Sequence, residues 1–183
     1  DRLVPPDAAG RATAASLWGT ADAHDGFMAS WPAMSRIERR HPLRGRWCGE
    51  PRLAAWNLGR CKTPLASAAI IRDCGIDILL ATELDIGMAR SGQAHTPEEL
   101  AGHLDYGYVF GVEFVELGIG DTHGTQLFKD LEAECGFHGN AIFSRYPIRN
   151  AALIPIDDGG EWFVRAPKND GQHRVGGRMA IAA

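Results

Sequence analysis

The segment from residue 53 to residue 83 constrains the fold most, because it has the pattern of a strand, a helix and a second strand. Leu53 to Asn57 is a short apolar run with the length of a buried strand. Thr63 and Pro64 are typical of a helix start, and Ile76 to Thr82 has the composition of another strand. Such a crossover makes its two strands parallel, so we predict an α/β fold.

Two polar residues follow these two predicted strands. Asn57 and Glu83 each stand at the carboxyl end of a strand. Parallel strands end at the same edge of a sheet, so we expect both side chains in one crevice, where ligands collect in open α/β sheets. A carboxylate is a hard oxygen ligand that suits Mg²⁺ or Mn²⁺ better than zinc. Glu83 is therefore a metal candidate, and the alternative is an ordinary loop residue.

The remaining chain after Glu83 predicts one helix and several strands. His95 to Leu100 contains a capping threonine at position 96 and a proline that suits a helix start, so we expect a helix to about Leu104. Strands are predicted at Tyr106–Leu117, Asn140–Ser144, Arg149–Ile156 and Arg178–Ala183, with a long loop over 118–139. Strands that follow one another without long helices favour antiparallel neighbours and an α/β sandwich.

The first part of the chain has a different pattern of apolar residues. In residues 1–50, Met28, Trp31, Met34 and Ile37 recur every three positions, which predicts a helical extension before the regular domain over 51–183. The tryptophans of this part, Trp18, Trp31 and Trp47, are expected to pack onto that domain. The basic run is expected to form a solvated face and consists of Arg36, Arg39, Arg40, Arg44 and Arg46.

Composition limits the classes of partner. The formal net charge is −4 and the pI is near 6.0, which argues against a protein that coats nucleic acid through a basic face. We find no apolar stretch long enough to span a bilayer and no signal peptide, and we expect the four cysteines to be free thiols. These features favour the cytoplasm, while the sequence leaves the oligomeric state open.

Three motifs occur in order: A-W-N-L-G-R at 55–60, L-A-T-E-L-D at 80–85 and H-G-N-A-I-F-S-R-Y-P-I at 138–148. Together they resemble the endonuclease/exonuclease/phosphatase superfamily, the fold of deoxyribonuclease I, over about residues 51 to 183. The resemblance implies the N-terminal portion of a four-layer α/β/β/α sandwich with mixed sheets. It also implies a Mg²⁺- or Mn²⁺-dependent phosphoesterase that cleaves phosphodiesters or phosphomonoesters. Candidate substrates are nucleic acids, phospholipid headgroups and small phosphorylated metabolites.

The resemblance also implies roles for individual residues. Glu83 matches the family's metal-binding glutamate, and Asn57 matches the asparagine that orients the metal and the scissile phosphate. Asn140, with His138, is expected to face the substrate, although a turn residue that stabilises its own backbone is the alternative for Asn140. Arg178 opens a predicted strand near the site and is the arginine we expect to hold a phosphate oxygen.

Four other charged residues have less definite expectations. Arg90 and Arg174 are expected to be exposed, as most surface arginines are. Glu113 and Glu116 either support the site from behind or point to water.

The family's catalytic histidine lies in an S-D-H motif, with a D-x-N motif upstream, and the sequence contains neither. The resemblance implies that both belong to the other half of the domain, beyond Ala183, and that these 183 residues alone are inactive. One alternative is a binding module that keeps the fold without the chemistry. Another is a cysteine nucleophile at Cys61 or Cys135, for which the sequence offers no matching His and Asp spacing.

Overall fold

A computed structural model describes residues 1–43, 49–118, 128, 131–157, 160–165 and 173–183. Its α-helices are α1 (Ala8–Ser16), α2 (Ala21–Ser30), α3 (Pro64–Asp73), α4 (Thr96–Leu104) and α5 (Glu161–Val164), with 3₁₀ turns at Pro32–Met34 and Ala89–Ser91. The strands are β1 (Ile37–Arg40), β2 (Leu53–Arg60), β3 (Ile78–Ile86), β4 (Gly107–Glu116), β5 (Phe137–Ser144), β6 (Ala152–Pro155), β7 (Arg174–Gly176) and β8 (Met179–Ala182).

The predicted crossover is confirmed. Strands β2 and β3 pair in parallel, with Leu53 opposite Ile78 and Asn57 opposite Thr82, and α3 connects them. Helix α3 packs Ala68 into the core beneath the sheet, together with residues of α4. The carboxyl ends of both strands therefore lie at one edge of the sheet, as the sequence predicts.

The expected burial of β2 is wrong. The strand alternates between exposed and half-buried residues, and Leu53 is 61% exposed. The main sheet has the order β1-β4-β5-β3-β2, so β2 lies at an edge, and among the described strands it is hydrogen-bonded only to β3. An edge strand that packs on one face alternates in burial, whereas the continuous burial expected for an inner strand occurs in β4.

The other strands form antiparallel pairs, as predicted. Strand β5 lies between β3 and β4 and is antiparallel to both, while β7 pairs with the end of β4. Strands β6 and β8 form a separate two-stranded sheet, which contacts the main sheet where Met179 and Leu153 pack against Gly111. The expected fold class, a mixed α/β sandwich, is confirmed.

The helical stripe predicted through Ile37 is wrong. Helix α2 ends at Ser30, Pro32 begins a 3₁₀ turn, and Ile37 lies in β1, which pairs with β4 in the main sheet. The proline has no amide hydrogen to continue the helix, and the residues beyond it complete the sheet edge instead. The domain boundary at residue 50 stays a prediction, although residues 37–40 belong to the same sheet as the domain.

The tryptophans and arginines of this part divide between described and undescribed positions. Trp31 is buried in the core and Trp18 packs against it, as expected, while Trp47 lies outside the described residues. In the basic run, Arg39 donates to the carbonyl oxygen of Ile148 at 2.9 Å, so it is not simply a solvated side chain. Arg40 pairs with Glu98 at 2.8 Å, whereas Arg44 and Arg46 lie outside the described residues.

The start of α4 differs from the predicted cap. The Nδ1 atom of His95 accepts the amide hydrogen of Glu98 at 3.2 Å, so His95 rather than Thr96 caps the helix. The hydroxyl of Thr96 instead donates to the carbonyl oxygen of Asp85. Half of the predicted loop over 118–139 lies outside the described residues, and its end, from Phe137, is part of β5. Across the described residues, every helix is too short or too polar to cross a lipid bilayer.

Candidate active site

The two parallel strands are both irregular where they reach the sheet edge. Strand β3 continues past Glu83, which has a positive φ of 59°, and the register with β2 shifts between Asn57 and Arg60. Left-handed backbone is uncommon outside glycine, and a bulge of this kind redirects the side chains on either side of it. The prediction that both strands stop at Asn57 and Glu83 is wrong, because the strands bend there and continue.

Asn57 and Glu83 are in direct contact across this bend. The side-chain amide of Asn57 donates to Oε1 of Glu83 at 2.7 Å, and its Oδ1 accepts the backbone N–H of Gly59 at 2.9 Å. The second bond fixes the orientation of the amide, so its nitrogen must face the carboxylate. The expected closeness of the two side chains is confirmed, and their catalytic and metal-binding roles stay predictions.

A cavity of about 220 Å³ opens beside Glu83. Its wall is rich in ionic and aromatic side chains and is formed by Arg60, Glu83, Arg90, Glu113, Phe114, His138, Trp162, Arg174 and Arg178. Four arginines and two glutamates line this wall, and three of the arginines pair with buried carboxylates: Arg90 with Asp85, Arg174 with Glu116 and Arg178 with Glu113. Carboxylate oxygens and guanidinium nitrogens therefore occur within one small cavity.

A buried ionic network lies behind the cavity. The Asp85 side chain is fully buried and accepts two hydrogen bonds from Arg90, from Nε at 2.9 Å and from Nη2 at 2.9 Å. It also accepts the hydroxyl hydrogen of Ser91 and lies 2.6 Å from Nδ1 of His138. Burial alone would raise the pKa of Asp85, but the bonds from Arg90 and His138 outweigh it and hold this pKa well below its usual range. Asp85 is therefore held as an anion at neutral pH.

The far wall of the cavity joins β4 to the segment around β7. Arg174 donates to Glu116 at 3.0 Å and lies over the ring of Phe114, with its guanidinium carbon 4.2 Å from the ring centroid. Arg178 donates to Glu113 at 2.9 Å. Both glutamates are buried, so Glu113 and Glu116 support this wall and do not point to water.

Two expectations about arginines are wrong. Arg90 is 5% exposed and Arg174 is half-buried, because each pairs with a buried carboxylate that the sequence did not connect to it. Arg178 keeps an exposed side chain and lines the cavity, as the sequence predicts. Its contact with a phosphate stays a prediction.

His138 and Asn140 occupy different surroundings although both are on β5. His138 lines the cavity and stacks on Phe114, with ring centroids 4.7 Å apart. The side-chain amide of Asn140 contacts the sulfur of Met179 at 3.3 Å, toward the small sheet, and Asn140 is not among the described residues that line the cavity. Asn140 is an ordered strand residue paired with Gly111, so its alternative interpretation as a turn residue is wrong.

Sequence reasoning missed Asp85 and Trp162 altogether. Asp85 lies two positions after Glu83 in an apolar stretch, and a charge in such a stretch, with an arginine five residues later, was the available signal. Trp162 had no comparable signal, because it reaches the cavity only through the packing of α5 against β7.

The cysteine alternative is disfavoured by burial. Cys61 is 1% exposed, and burial raises the pKa of its thiol to about 11. Burial also raises the pKa of Cys135, and neither residue lines the cavity beside Glu83. A nucleophilic cysteine needs the opposite environment, one that favours the thiolate.

Comparisons with known proteins add one structural likeness. No protein-family model matches the chain. No curated protein matches it either. Among solved structures, the chain is similar to an endonuclease/exonuclease/phosphatase from Beutenbergia cavernae DSM 12333, at 19% identity and a TM-score of 0.41. The match covers 60% of this chain and 30% of that one, so this chain corresponds to less than a third of that protein's length.

Proposed function

We propose that this chain carries part of the active site of a divalent-metal-dependent phosphoesterase. The observation that supports the proposal best is the contact between Asn57 and Glu83 at the edge of a small cavity whose wall contains four arginines. A carboxylate next to guanidinium groups provides for a hard cation and for the anionic oxygens of a phosphate ester within one cavity. The proposed substrate class is a phosphodiester or phosphomonoester.

The donor set fits a hard cation only in part. Glu83 is half-buried and has one oxygen engaged by Asn57, and among the described residues no group of three or more His, Cys, Asp or Glu side chains could hold a metal. Glu83 would hold Mg²⁺ or Mn²⁺ with Asn57 orienting its carboxylate, and the remaining ligands would come from outside the described residues. A cation there would offset charge on the phosphate oxygens.

The protein groups have separate tasks in this proposal. Arg178 binds a non-bridging phosphate oxygen, for which its guanidinium is exposed and held over Trp162, 4.8 Å from the ring centroid. Arg174 and Glu116 keep the aromatic wall in place from behind. Asn140 packs beneath Met179 and supports the adjoining sheets, so we assign it no direct contact with the substrate.

The test is hydrolysis by the complete protein that contains this chain. The purified protein is assayed with Mg²⁺, with Mn²⁺ and with a chelator against nitrophenyl phosphate esters, a short oligonucleotide, a phospholipid and sugar phosphates. We expect metal-dependent release of at least one alcohol, and a loss on the order of 10²-fold or more in kcat for Glu83→Gln. The control is Glu134→Gln, which changes an exposed carboxylate that does not line the cavity.

Two outcomes would contradict the proposal. Full activity of Glu83→Gln would show that this carboxylate is not at the reaction centre. If every ester in the panel stays intact with either metal, the binding module becomes the better description, and phosphate binding without turnover would then identify it.

A further inference from the structure

We propose that His138 is the residue that protonates the leaving group, and that Asp85 is the positioning residue that aims it into the cavity. This inference rests on the phosphoesterase function proposed above and names a further catalytic residue for that site. His138 is buried, lines the cavity, and has one nitrogen held by the carboxylate of Asp85, which also accepts hydrogen bonds from Arg90 and Ser91.

The tautomer of His138 follows from its partner. An ionised carboxylate only accepts hydrogen bonds, so the 2.6 Å contact between Nδ1 and Oδ1 of Asp85 requires the proton to sit on Nδ1. Arg90 approaches the same Nδ1 at 3.2 Å, but an unprotonated Nδ1 that accepted from Arg90 would place its lone pair against the carboxylate oxygen of Asp85 at 2.6 Å. Nδ1 is therefore the donor, and Nε2 is the nitrogen left for exchange of a proton.

The rest of the ring is also fixed. Phe114 stacks on the imidazole with an interplanar angle of 25°, and β5 holds the His138 backbone opposite both Asp85 and Phe114. Among the described residues, none forms a hydrogen bond with Nε2. Nδ1 therefore has two polar neighbours in the network, Asp85 and Arg90, and the ring belongs to a residue that lines the cavity. A histidine that served packing alone would gain nothing from this asymmetry between its two nitrogens.

The network behind His138 suits a positioning role for Asp85. Four hydrogen bonds from three side chains, Arg90, Ser91 and His138, hold the carboxylate, and the hydroxyl of Thr96 bonds its backbone. A carboxylate held so firmly as an anion does not take the proton itself. Its hydrogen bond with Nδ1 keeps the ring of His138 from rotating, and its charge lies next to the imidazolium that the proposed step requires.

The proposed step is protonation of the leaving oxygen. As the bond from phosphorus to the bridging oxygen breaks, its electron pair stays on that oxygen, which takes the proton from Nε2 of His138. The alcohol leaves, water supplies the new oxygen on phosphorus and releases its proton to solvent, and the neutral imidazole regains a proton from solvent. The charged groups around this ring in the cavity are Arg60, Glu83, Arg90, Glu113, Arg174 and Arg178.

The test compares two esters that share one phosphoryl group, an alkyl ester and a 4-nitrophenyl ester. The variant is His138→Asn, because the asparagine amide keeps a donor near Asp85 and has no counterpart of Nε2. In the complete protein we expect kcat/KM for the alkyl ester to fall by about 10²- to 10⁴-fold, and for the nitrophenyl ester by less than about 10-fold. A nitrophenolate leaves without a proton, so only a proton donor produces this difference.

The outcomes separate this inference from the proposed function. If the wild-type protein hydrolyses esters but His138→Asn lowers both rates equally, the phosphoesterase stands and the proton-donor role of His138 is overturned. If the wild-type protein hydrolyses no ester, the phosphoesterase function and the role of His138 are both overturned. Nitrogen NMR of the wild-type histidines is a second measurement, independent of turnover. An imidazolium, or a neutral ring with its proton on Nδ1, supports the proposal, and a neutral ring with its only proton on Nε2 overturns it.

Discussion

Replacing Asp85 by asparagine tests the buried network most directly. Asparagine has nearly the same shape, so the substitution removes charge without opening a cavity. It leaves Arg90, whose side chain is 3% exposed, without the carboxylate that neutralises it, and it places an amide where the network offers only donors. The variant is therefore expected to be less stable and to release the ring of His138.

The expected size follows from the burial of both partners. Breaking a buried ion pair from one side costs about 3 to 5 kcal/mol. Asparagine keeps one acceptor oxygen for Arg90, which favours the lower end, so we expect a loss of about 3 kcal/mol. For a protein of this size each kcal/mol corresponds to roughly 2–4 °C, so the melting temperature should fall by about 6–12 °C.

Equilibrium urea unfolding and thermal melting of the wild type and of Asp85→Asn measure this loss. The control is Glu161→Gln, which breaks an exposed pair with Arg165 at 3.4 Å and should cost no more than about 0.5 kcal/mol. If Asp85→Asn changes stability as little as the control does, then the carboxylate is not the counterion of a buried arginine, and the interpretation of the network is wrong.

The pH dependence of stability gives the same prediction a second readout. The folded pKa of Asp85 lies well below its unfolded value, because the bonds from Arg90 and His138 outweigh burial, so the folded state binds its proton less readily than the unfolded state. Its stabilisation is complete above the unfolded pKa of about 3.9 and is lost as the pH falls toward the folded pKa. The difference between wild type and Asp85→Asn should therefore be constant at neutral pH and shrink below about pH 4. A constant difference at all pH values would contradict the assignment.

Two further predictions concern cysteines and glycines. In the native protein at pH 8, iodoacetamide should modify Cys61 on the order of 10²-fold more slowly than the exposed Cys74. The reason is that burial lowers both the thiolate fraction of Cys61 and the access of the reagent to it. Peptide mass mapping measures both rates, and equal rates would contradict the burial of Cys61. Gly139→Ala should destabilise the protein by roughly 1–3 kcal/mol or more, because the added methyl group meets the carbonyl oxygen of Gly111. Gly26→Ala lies within α2, where the added methyl group meets nothing, and should stabilise the protein by about 0.5–1 kcal/mol. Thermal melting distinguishes the two, and equal shifts would contradict the close approach at Gly139.

The elements that sequence patterns predict here are those whose signals are local. The βαβ unit, the approximate extents of α3, α4, β4 and β5, and the antiparallel pairing all follow from apolar runs, caps and the lack of long helices between later strands. The prediction of a helical stripe through Ile37 failed because four residues that share a spacing do not reveal that the helix ends before Pro32 or that β1 pairs with the edge of β4. The pairing of β1 with β4 depends on the tertiary structure and has no local signal in the sequence.

The residues of the candidate site divide in the same way, into those that topology predicts and those that only tertiary packing brings together. Asn57 and Glu83 were predictable because strand ends of a parallel pair meet, which is a rule of topology. Arg90 was not, since an arginine is exposed by default and is buried here only because Asp85 and His138 surround it. Its partners come from two strands, and no spacing within one segment encodes their meeting.

The bulge at Glu83 links both parts of the candidate site. Leu79 and Ala81 face the core, so strict alternation would turn residues 83 and 85 inward and Leu84 outward. Instead Leu84 is buried in the core, and Asp85 lies beside His138 on the opposite face, because the left-handed residue at 83 adds one position to the strand. The backbone at 83 therefore sets the direction of Asp85 as well as of its own carboxylate. Glu83→Gln is the sharper probe of metal binding for this reason, since it removes the charge and leaves the bulge in place.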